Sequence, residues 1–135
     1  DGSHLLAEAR QAMLLARLRS GLEGASLSST GSEILTARQA LELATRGGAA
    51  VLGRSDLGSL EVGKCADLIG INLNRLDYAG ALHDPVAAVV FCQPQNVDYN
   101  VVHGKLVVNK GQLVGLDLPK HIEAHNRAAR RLLEG

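Results

Sequence analysis

The feature that most constrains the fold is a series of glycine-containing turns between short β-branched segments. Gly63 and Lys64 lie between two segments with strand character, and we predict a hairpin with a fixed register there. His103 and Gly104 separate two valine-rich segments, which is the arrangement that a type I′ hairpin requires. A third turn over residues 109–112 leads into further apolar positions. Together the turns predict a small antiparallel meander.

The first 50 residues have a helical pattern instead. Residues 4–19 carry apolar side chains at helical spacing, and the pattern ends at Gly21. We predict an amphipathic helix whose buried stripe consists of Leu5, Ala9, Ala12, Met13 and Ala16. Residues 21–31 are rich in Gly, Ser and Thr without periodicity, so this stretch is predicted to be a loop.

Three further signals predict helix ends and a strand. Thr36 and Gln39 have the spacing of a capping box, and the helix that they open is predicted to end at Gly47 and Gly48. Residues 51–114 consist of short β-branched runs between glycine turns, with residues 67–72 the most strand-like. Asp117 is predicted to cap a last helix with a buried face formed by Leu118, Ile122, His125, Ala129, Leu132 and Leu133.

Residues 58–68 read Gly-Ser-Leu-Glu-Val-Gly-Lys-Cys-Ala-Asp-Leu, which resembles a stretch that amidohydrolase-superfamily members carry after the metal-bearing barrel. The fixed positions are filled by Gly58, Ser59, Leu60, Gly63, Lys64, Ala66, Asp67 and Leu68. Residues 36–53 are similar to the last barrel helix and its exit. Residues 5–14 are similar to the helix after the final metal ligand in the deaminase branch. Residues 78–92 look most like the 8-oxoguanine deaminases within that branch.

The resemblance implies an α/β fold class: the last helices of a TIM-like (β/α)8 metal-dependent hydrolase barrel, strands of the companion small β-sandwich, and a C-terminal helix. It divides the chain into a barrel portion at 1–53, β-sandwich strands at 54–115 with an inserted segment at 73–96, and the helix at 116–135. A complete barrel needs about 250 residues, and this chain has 135. We therefore expect the N-terminal part of the same enzyme to lie outside it.

The implied activity is that of a metal-dependent aminohydrolase, which hydrolyses a C–N bond of a purine-like heterocycle and releases ammonia. We expect 8-oxoguanine as the substrate, while guanine, cytosine, S-adenosylhomocysteine-like nucleosides and hydroxylated triazines stay open. The metal would be zinc or another divalent ion such as iron. Because the sequence contains no His-x-His pair, residues outside this chain are expected to bind most of it.

No catalytic or metal-binding residue is assigned within the chain. The resemblance places the metal-binding aspartate at or just before Asp1, and it leaves open whether Asp1 is that ligand. Asp1, His4 and His83 are expected to lie next to the substrate, and Asp84 is expected to cap the turn at 83–85 or the segment that follows.

Other polar residues have a plainer interpretation. His121 and His125 are four apart on a predicted helix, but Glu123 is out of register for a His-Glu-x-x-His site. His103 is interpreted as a turn residue. Cys65 and Cys92 are interpreted as unreactive reduced thiols, because nothing near them in the sequence would strongly lower the pKa of either thiol.

Composition excludes several classes of partner. Lys plus Arg and Asp plus Glu are equal at 14 each, so the long-range positive field that nucleic-acid binding requires is missing. The longest apolar runs fall short of the about 18 residues that span a bilayer. We expect a cytoplasmic homo-oligomer acting on a small heterocycle. The alternative is a non-catalytic β-rich module for interaction or oligomerisation, which the composition also allows.

Overall fold

A computed structural model describes residues 4–22, 34–92 and 96–134. The α-helices are α1 (Leu5–Leu22), α2 (Ala37–Glu42), α3 (Gly48–Val51), α4 (Pro85–Cys92) and α5 (Leu118–Glu134), with a π turn at Leu43–Gly47 and a 3-10 turn at Leu76–Tyr78. The strands are β1 (Leu68–Gly70), β2 (Tyr99–Val102), β3 (Lys105–Asn109) and β4 (Gln112–Leu113). The predicted loop at 21–31 lies largely outside the described residues.

Helix α1 forms where the spacing predicts it, but its buried stripe differs by one position at the start. Leu6, Ala9 and Met13 are buried, whereas Leu5 and Ala12 are exposed. The predicted inclusion of Leu5 and Ala12 was wrong because α2 and α4 pack against Ala9 and Met13. The buried stripe is therefore rotated around the helix from the predicted stripe, toward Leu6 and Met13.

The hydrophobic core lies where α1, α2 and α4 meet. Ala9 and Met13 of α1, Ala37 and Ala40 of α2 and Val90 of α4 form one buried cluster. Three of these side chains are alanines, which let the helix backbones approach closely, while Met13 and Val90 fill the space between them and are both 0% exposed. Throughout residues 4–22, 34–92 and 96–134, no residue of the sheet or of α5 is buried.

The capping box at the start of α2 is confirmed. The Thr36 side chain accepts a hydrogen bond from the Gln39 backbone N–H, and the Gln39 side chain accepts one from the Thr36 backbone N–H. These two bonds satisfy amide groups that have no partner within the helix.

The predicted helix end at Gly47 and Gly48 was wrong. Both glycines take ordinary helical φ values, and the chain continues through the π turn into α3. The helix ends at Gly53, which has a φ of +65°, with hydrogen bonds from Gly53 N to Ala50 O and from Arg54 N to Ala49 O. These are the two bonds of a Schellman motif, so the left-handed glycine stands five residues later than predicted.

The predicted hairpin at Gly63 and Lys64 was also wrong. The turn exists, closed by a 3.2 Å bond from Lys64 N to Glu61 O, but Gly63 at its third position has a φ of +89°. That geometry belongs to a type II turn, which splays flanking segments instead of matching strand twist. Accordingly β1 pairs with β2 and not with the segment before the turn.

The antiparallel meander is confirmed as a four-stranded sheet with the order β1-β2-β3-β4. Its two tight turns have positive φ at both central residues, His103 and Gly104 in one and Lys110 and Gly111 in the other. Positive φ at both positions defines the type I′ turn, so the predicted turn type at His103 is confirmed.

One helix lies inside the region whose texture predicted only strands. Residues 85–92 form α4, which packs between α1 and α2. Asp84 caps it as expected, because its Oδ1 atom accepts hydrogen bonds from Val86 N and Ala87 N at 3.1 and 3.0 Å. A short apolar run bounded by a cap is compatible with strand or helix, and packing in the core decides for helix here.

The cap of α5 is confirmed, and its predicted buried face was wrong. Asp117 Oδ1 accepts a hydrogen bond from Lys120 N, and Asp117 O accepts one from His121 N. Every residue of α5 is nevertheless exposed, including the six that the pattern placed inside: Leu118, Ile122, His125, Ala129, Leu132 and Leu133. The amphipathic pattern identified an apolar face correctly, but the described residues do not cover that face.

Candidate functional site

The segment 58–68, which we call the glycine-lysine motif, joins the helices to the sheet. Gly58 begins it with a φ of +85°. A Cβ atom at this position would lie 3.0 Å from Ala49 Cβ, 3.0 Å from Arg46 Cα and 3.1 Å from Thr45 O. The backbone at residue 58 therefore touches the π turn and α3 directly, and only glycine fits both the conformation and the space.

Lys64 holds the motif in its looped shape. Its Nζ atom donates to Ser59 Oγ at 2.6 Å and lies 3.4 Å from Glu61 Oε1. Hydrogen bonds from Ser59 and then from Lys64 lower the pKa of Glu61 below its ordinary value. The lysine thus acts as a local bridge within the turn.

The far end of the motif fixes the turn between β2 and β3. Asp67 Oδ1 accepts a 2.5 Å hydrogen bond from His103 N, and Ala66 O accepts a 3.2 Å bond from Gly104 N. Both amide donors of the type I′ turn are bound by residues about 36 positions earlier in the chain. The motif positions Ala66 and Asp67 are therefore structural groups that set the register of the sheet.

Arg54, Asp56 and Cys65 form a hydrogen-bonded polar cluster. The guanidinium of Arg54 donates from Nε and Nη2 to the two carboxylate oxygens of Asp56, both at 2.6 Å. The Cys65 thiol donates to Asp56 Oδ2 at 3.3 Å. Hydrogen bonding from Arg54, and then from Cys65, holds the pKa of Asp56 well below its usual range.

The same cluster makes Cys65 a poor nucleophile. The hydrogen bond to Asp56 comes first among the causes that raise the pKa of the Cys65 thiol above its ordinary value, followed by desolvation. A raised pKa leaves less thiolate at neutral pH, and the thiolate is the reactive form. Cys65 and Cys92 are both free thiols.

His4 stands immediately before α1 and caps it. Its Nδ1 atom accepts a 3.1 Å hydrogen bond from Ala7 N, and its carbonyl oxygen accepts one from Glu8 N. The side chain is half-buried. His4 is therefore fixed at the N-terminal end of the helix that carries the core residue Met13.

His83 is exposed in the turn before α4. The neighbouring Asp84 caps α4. His83 therefore stands just before the N-terminal end of α4, the helix that packs against α1. Asp1 lies outside the described residues.

A shallow groove of about 390 Å³ runs beside α3 and is lined by three cations, Arg46, Arg54 and Lys64. Each cation has a carboxylate partner: Glu42 for Arg46, Asp56 for Arg54 and Glu61 for Lys64. Paired cations offer little net charge to an anion. The groove is consequently a surface feature of the motif and not a phosphate site.

The described residues do not form a metal centre: nowhere in them do three or more His, Cys, Asp or Glu side chains converge. His121 and His125 are exposed on α5, and His103 occupies its turn with a φ of +48°. The interpretation of these three histidines as helix-surface and turn residues fits this placement.

One structural site escaped the sequence analysis. Asp98 accepts a 2.6 Å hydrogen bond from Asn72 N through Oδ2, and its Oδ1 atom pairs with Arg75. Its backbone bonds to Gly70 O and to Gly111 N. Asp98 thereby ties the segment after β1 to both ends of the sheet. Nothing in the local sequence marks it, because its side-chain partners Asn72 and Arg75 lie 26 and 23 residues away.

No helix in the part of the chain that the structure describes has the length and apolar character needed to cross a membrane.

Comparison with known proteins gives a consistent result. A profile of the amidohydrolase family matches residues 2–107. The 8-oxoguanine deaminase of Pseudomonas aeruginosa is 42% identical over 135 residues, which is 100% of this chain and 28% of that protein. Hydroxydechloroatrazine ethylaminohydrolase of Pseudomonas sp. strain ADP is 44% identical over 98 residues, 70% of this chain and 20% of that protein.

A solved structure agrees with the sequence comparison. An adenosine deaminase from Xanthomonas campestris with bound zinc superposes with a TM-score of 0.79 at 27% identity, covering 96% of this chain and 28% of that one. The predicted fold class is confirmed by these matches. The chain spans between a fifth and under a third of the length of these relatives.

Proposed function

The chain belongs to the amidohydrolase family, and we propose that it is the C-terminal part of a metal-dependent aminohydrolase. The reaction is hydrolysis of a C–N bond in a purine-like heterocycle: water adds to a ring carbon, and the exocyclic amine leaves as ammonia. The preferred substrate is 8-oxoguanine.

The observation that carries this proposal is the 42% identity to an 8-oxoguanine deaminase along all 135 residues. The other relatives act on different rings according to their names, among them a hydroxylated triazine and adenosine. Hydrolytic removal of an amino or ethylamino group is common to these three names, whereas the ring itself varies. The substrate class therefore has broader support than the choice of 8-oxoguanine.

The metal in this proposal is a divalent ion, with zinc as the first choice because it is bound in the adenosine deaminase structure, and iron as the alternative. The described residues do not suit it, since no three ligand side chains meet and His4 Nδ1 is already used as a helix cap. No chemical step is therefore assigned to these residues, and the ligands are proposed to lie elsewhere in the enzyme.

The contribution of this chain is structural support. We assign residues 1–53 to the barrel, 54–115 to the small β domain with an insertion at 73–96, and 116–135 to the C-terminal helix. The contacts of Gly58 with the π turn and of Asp67 with the β2–β3 turn support this assignment. In this proposal one short motif connects the sheet to the helical layer.

Asp1, His4 and His83 are proposed to lie next to the substrate. Two observations support this for the histidines. His4 is anchored by its own helix cap, and His83 precedes a helix that packs on the same α1. An anchored, half-buried histidine at a helix start is suited to orient a neighbouring ring without large movement.

The proposal is tested with the complete protein that contains this chain. Metal content is measured first. Ammonia release is then followed with 8-oxoguanine, guanine, adenosine and a hydroxylated triazine at matched concentrations. We expect bound divalent metal and the highest kcat/KM for 8-oxoguanine. A higher kcat/KM for another ring would overturn the substrate but keep the deaminase, whereas loss of activity on metal removal would support metal dependence.

Matched variants probe the substrate-adjacent residues. His83→Ala is expected to raise KM with little effect on the melting temperature, because the side chain is exposed. His103→Ala, also exposed but in a sheet turn, serves as the control and should leave KM unchanged. Equal KM values for both variants and the parent would contradict the placement of His83.

The alternative, a non-catalytic interaction or oligomerisation module, is favoured by the uncovered face of α5 alone. A complete protein that binds no metal and releases no ammonia from any of the four rings would establish it. Cytoplasmic location and homo-oligomeric state are also part of the proposal, and the two free thiols support the former.

A further inference from the structure

Residues 71–84 connect β1 to α4 and carry His83 near their end. We call this segment the β1–α4 connection. It leaves the sheet after Gly70 and delivers the chain to α4, which packs in the helical layer against α1 and α2. The position of His83 is therefore set by the bonds that hold this connection between the sheet and the helical layer.

Asp98, the residue just before β2, holds the base of the connection. Its Oδ2 atom accepts a 2.6 Å hydrogen bond from Asn72 N, and its Oδ1 atom accepts one from Arg75 Nη2. The side chain of Asp98 is 14% exposed, so water competes weakly for its two oxygens. Hydrogen bonds to a charged acceptor are also stronger than neutral ones. The carboxylate thus fixes both a backbone amide and a side chain at the start of the connection.

A series of hydrogen-bonded turns continues from this base to His83. Arg75 O accepts from Tyr78 N at 3.1 Å, and Tyr78 O accepts from Ala81 N at 3.0 Å. The last turn is closed by a 3.3 Å bond from Asp84 N to Ala81 O, and His83 is its third residue. Each turn begins at the residue where the preceding one ends, so a shift at Arg75 is passed to the backbone of His83.

Two features make this series of turns stiff. The turn over residues 78–81 has a φ of −59° and a ψ of 127° at Ala79 and a φ of +84° at Gly80, which is the geometry of a type II turn with the glycine that it requires. Tyr78 is 2% exposed, and the 3-10 turn that contains it contacts α4. A close-packed aromatic side chain leaves the middle of the connection little freedom to bend.

We propose that Asp98 is a positioning residue for His83, which it holds in place for substrate binding through the β1–α4 connection. This inference rests on the proposed function, because it takes His83 to lie next to the substrate. Asp98 itself does not contact the substrate in this proposal. It fixes the exposed His83 relative to the sheet in advance, so that substrate binding does not have to order the segment.

The connection is anchored at both ends, which is why one carboxylate can act on His83 from a distance. Beyond His83, Asp84 caps α4, and Val90 of that helix is 0% exposed. Before His83, the Asp98 carboxylate bonds the connection to the sheet. Loss of that carboxylate would leave the connection attached at α4 and loosened at its base, so the turn that contains His83 would gain freedom.

The test measures kcat and KM in the complete protein, using ammonia release from the ring with the highest kcat/KM. Asp98→Ala should raise KM about tenfold with kcat little changed, because His83 is misplaced and not removed. Asp98→Asn keeps an acceptor oxygen without the charge and should raise KM about threefold. Arg75→Met changes a side chain that is 40% exposed and leaves the bond to Asn72 intact. It should also raise KM, so the result does not depend on whether Asp98→Ala folds.

A double-mutant cycle separates positioning from other effects of Asp98. Asp98→Ala combined with His83→Ala should have the same KM as His83→Ala alone, because the placement of an absent imidazole no longer matters. An effect of Asp98 that bypasses His83 would instead multiply with the effect of His83→Ala.

Asp67→Ala is the matched control. Asp67 also accepts a backbone hydrogen bond, but from His103 N at the other end of β2. This variant should lower the melting temperature, as Asp98→Ala does, and leave KM unchanged. Amide exchange at Ala81 and Asp84 should accelerate in Asp98→Ala and stay the same in Asp67→Ala.

The same measurements separate this inference from the proposed function. An active enzyme in which Asp98→Ala and Arg75→Met keep the parent KM overturns the inference and leaves the function standing. The same holds if the effects of Asp98→Ala and His83→Ala multiply, or if His83→Ala keeps the parent KM. A complete protein that releases no ammonia from any ring overturns both.

Discussion

Helix α1 and the C-terminal helix α5 both carry apolar residues at helical spacing, and that spacing predicts a buried stripe on each, but the structure buries the stripe of α1 alone. In α1, Met13 is 0% exposed because α2 and α4 pack against it. In α5, Leu133 is 89% exposed although its stripe is the more regular of the two. The difference teaches that a helical pattern specifies which face is apolar, while the partner that covers the face must come from elsewhere in the assembly.

The sheet lies between these two cases. None of its residues is buried, yet its register is well defined. Turns with positive φ at both central positions and the bonds from Asp67 and Asp98 fix it through the backbone. A structure with little core of its own can thus be specified by turn chemistry.

The contact of Gly58 with the helical layer should give the largest effect when broken. Gly58→Ala combines a left-handed φ of +85° with a Cβ 3.0 Å from two atoms. Backbone strain and overpacking together should lower the free energy of unfolding by about 4 kcal/mol, measured by urea denaturation.

Gly53→Ala is the matched control. Its φ is +65°, but a Cβ there meets nothing within 4 Å. The free energy of unfolding of Gly53→Ala should fall by only about 1 kcal/mol, because alanine is strained at this positive φ. Equal losses for the two variants would show that the motif does not press on the π turn.

The contrast between buried and exposed positions of α1 gives the next effect. Met13→Ala removes a fully buried side chain and should cost about 3 kcal/mol. Leu15→Ala, at a site that is 56% exposed, should cost about 0.5 kcal/mol or less. Both are read from chemical denaturation. A large loss for Leu15→Ala would mean that the outer face of α1 is also covered, which would remove the distinction drawn between the two helices.

The bond from Asp67 to the β2–β3 turn should give a smaller effect. Asp67→Ala removes the acceptor of the 2.5 Å bond from His103 N and should cost about 1 kcal/mol. Amide exchange at His103 should accelerate, while exchange in α1 stays the same. Lys105→Ala, at an exposed position beside the same turn, is the control and should change neither. Unaltered exchange at His103 would show that the turn holds its register without Asp67.

The smallest expected effect is on the acid dependence of stability. Arg54 and then Cys65 lower the pKa of Asp56 in the folded chain. A carboxyl whose pKa is lower when folded stabilises the fold above its unfolded pKa of about 3.9, and this contribution disappears as the pH falls below that value. The urea concentration at the unfolding midpoint should therefore fall less steeply with decreasing pH in Asp56→Asn than in the parent.

Because the Asp56 pair is exposed, the change in slope should be slight. Glu134→Gln, at the end of α5, controls for removal of one carboxylate. If the urea midpoint of Asp56→Asn depends on pH as steeply as that of the parent, the contact between Arg54 and Asp56 does not persist in solution.

Three local signals were read correctly from the sequence. The capping box at Thr36, the cap at Asp117 and the type I′ turn at His103 involve residues within a few positions of one another, so their chemistry is visible in the sequence. The family assignment rested on the motif at 58–68, and the profile match confirms it.

Long-range packing accounts for the errors. The helix passes Gly47 and Gly48 because both take helical φ values there, and the Gly58 backbone, 10 or more residues later, lies against the π turn, a contact that no local pattern shows. Residues 58–63 do not form a strand that pairs across the turn, because the turn at Gly63 is of type II. Helix α4 was not predicted, because its sequence is a short apolar run. Its helical state depends on packing against α1 and α2.

The candidate site could be read only in part for a related reason. Asp67 and Asp98 act through partners 36 and 26 residues away. His4, His83 and Asp1 remain predictions as substrate neighbours, because their role depends on residues that this chain does not contain.

Hydrogen exchange followed by mass spectrometry tests the central contrast most directly, when it is measured on the chain at several concentrations. The account predicts that amides of α1, α2 and α4 are protected at every concentration, whereas amides of α5 exchange rapidly in the most dilute sample, because none of the described residues covers its apolar face. Protection of α5 equal to that of α1 in the most dilute sample would contradict it, because the apolar face of α5 would then be covered from within one molecule.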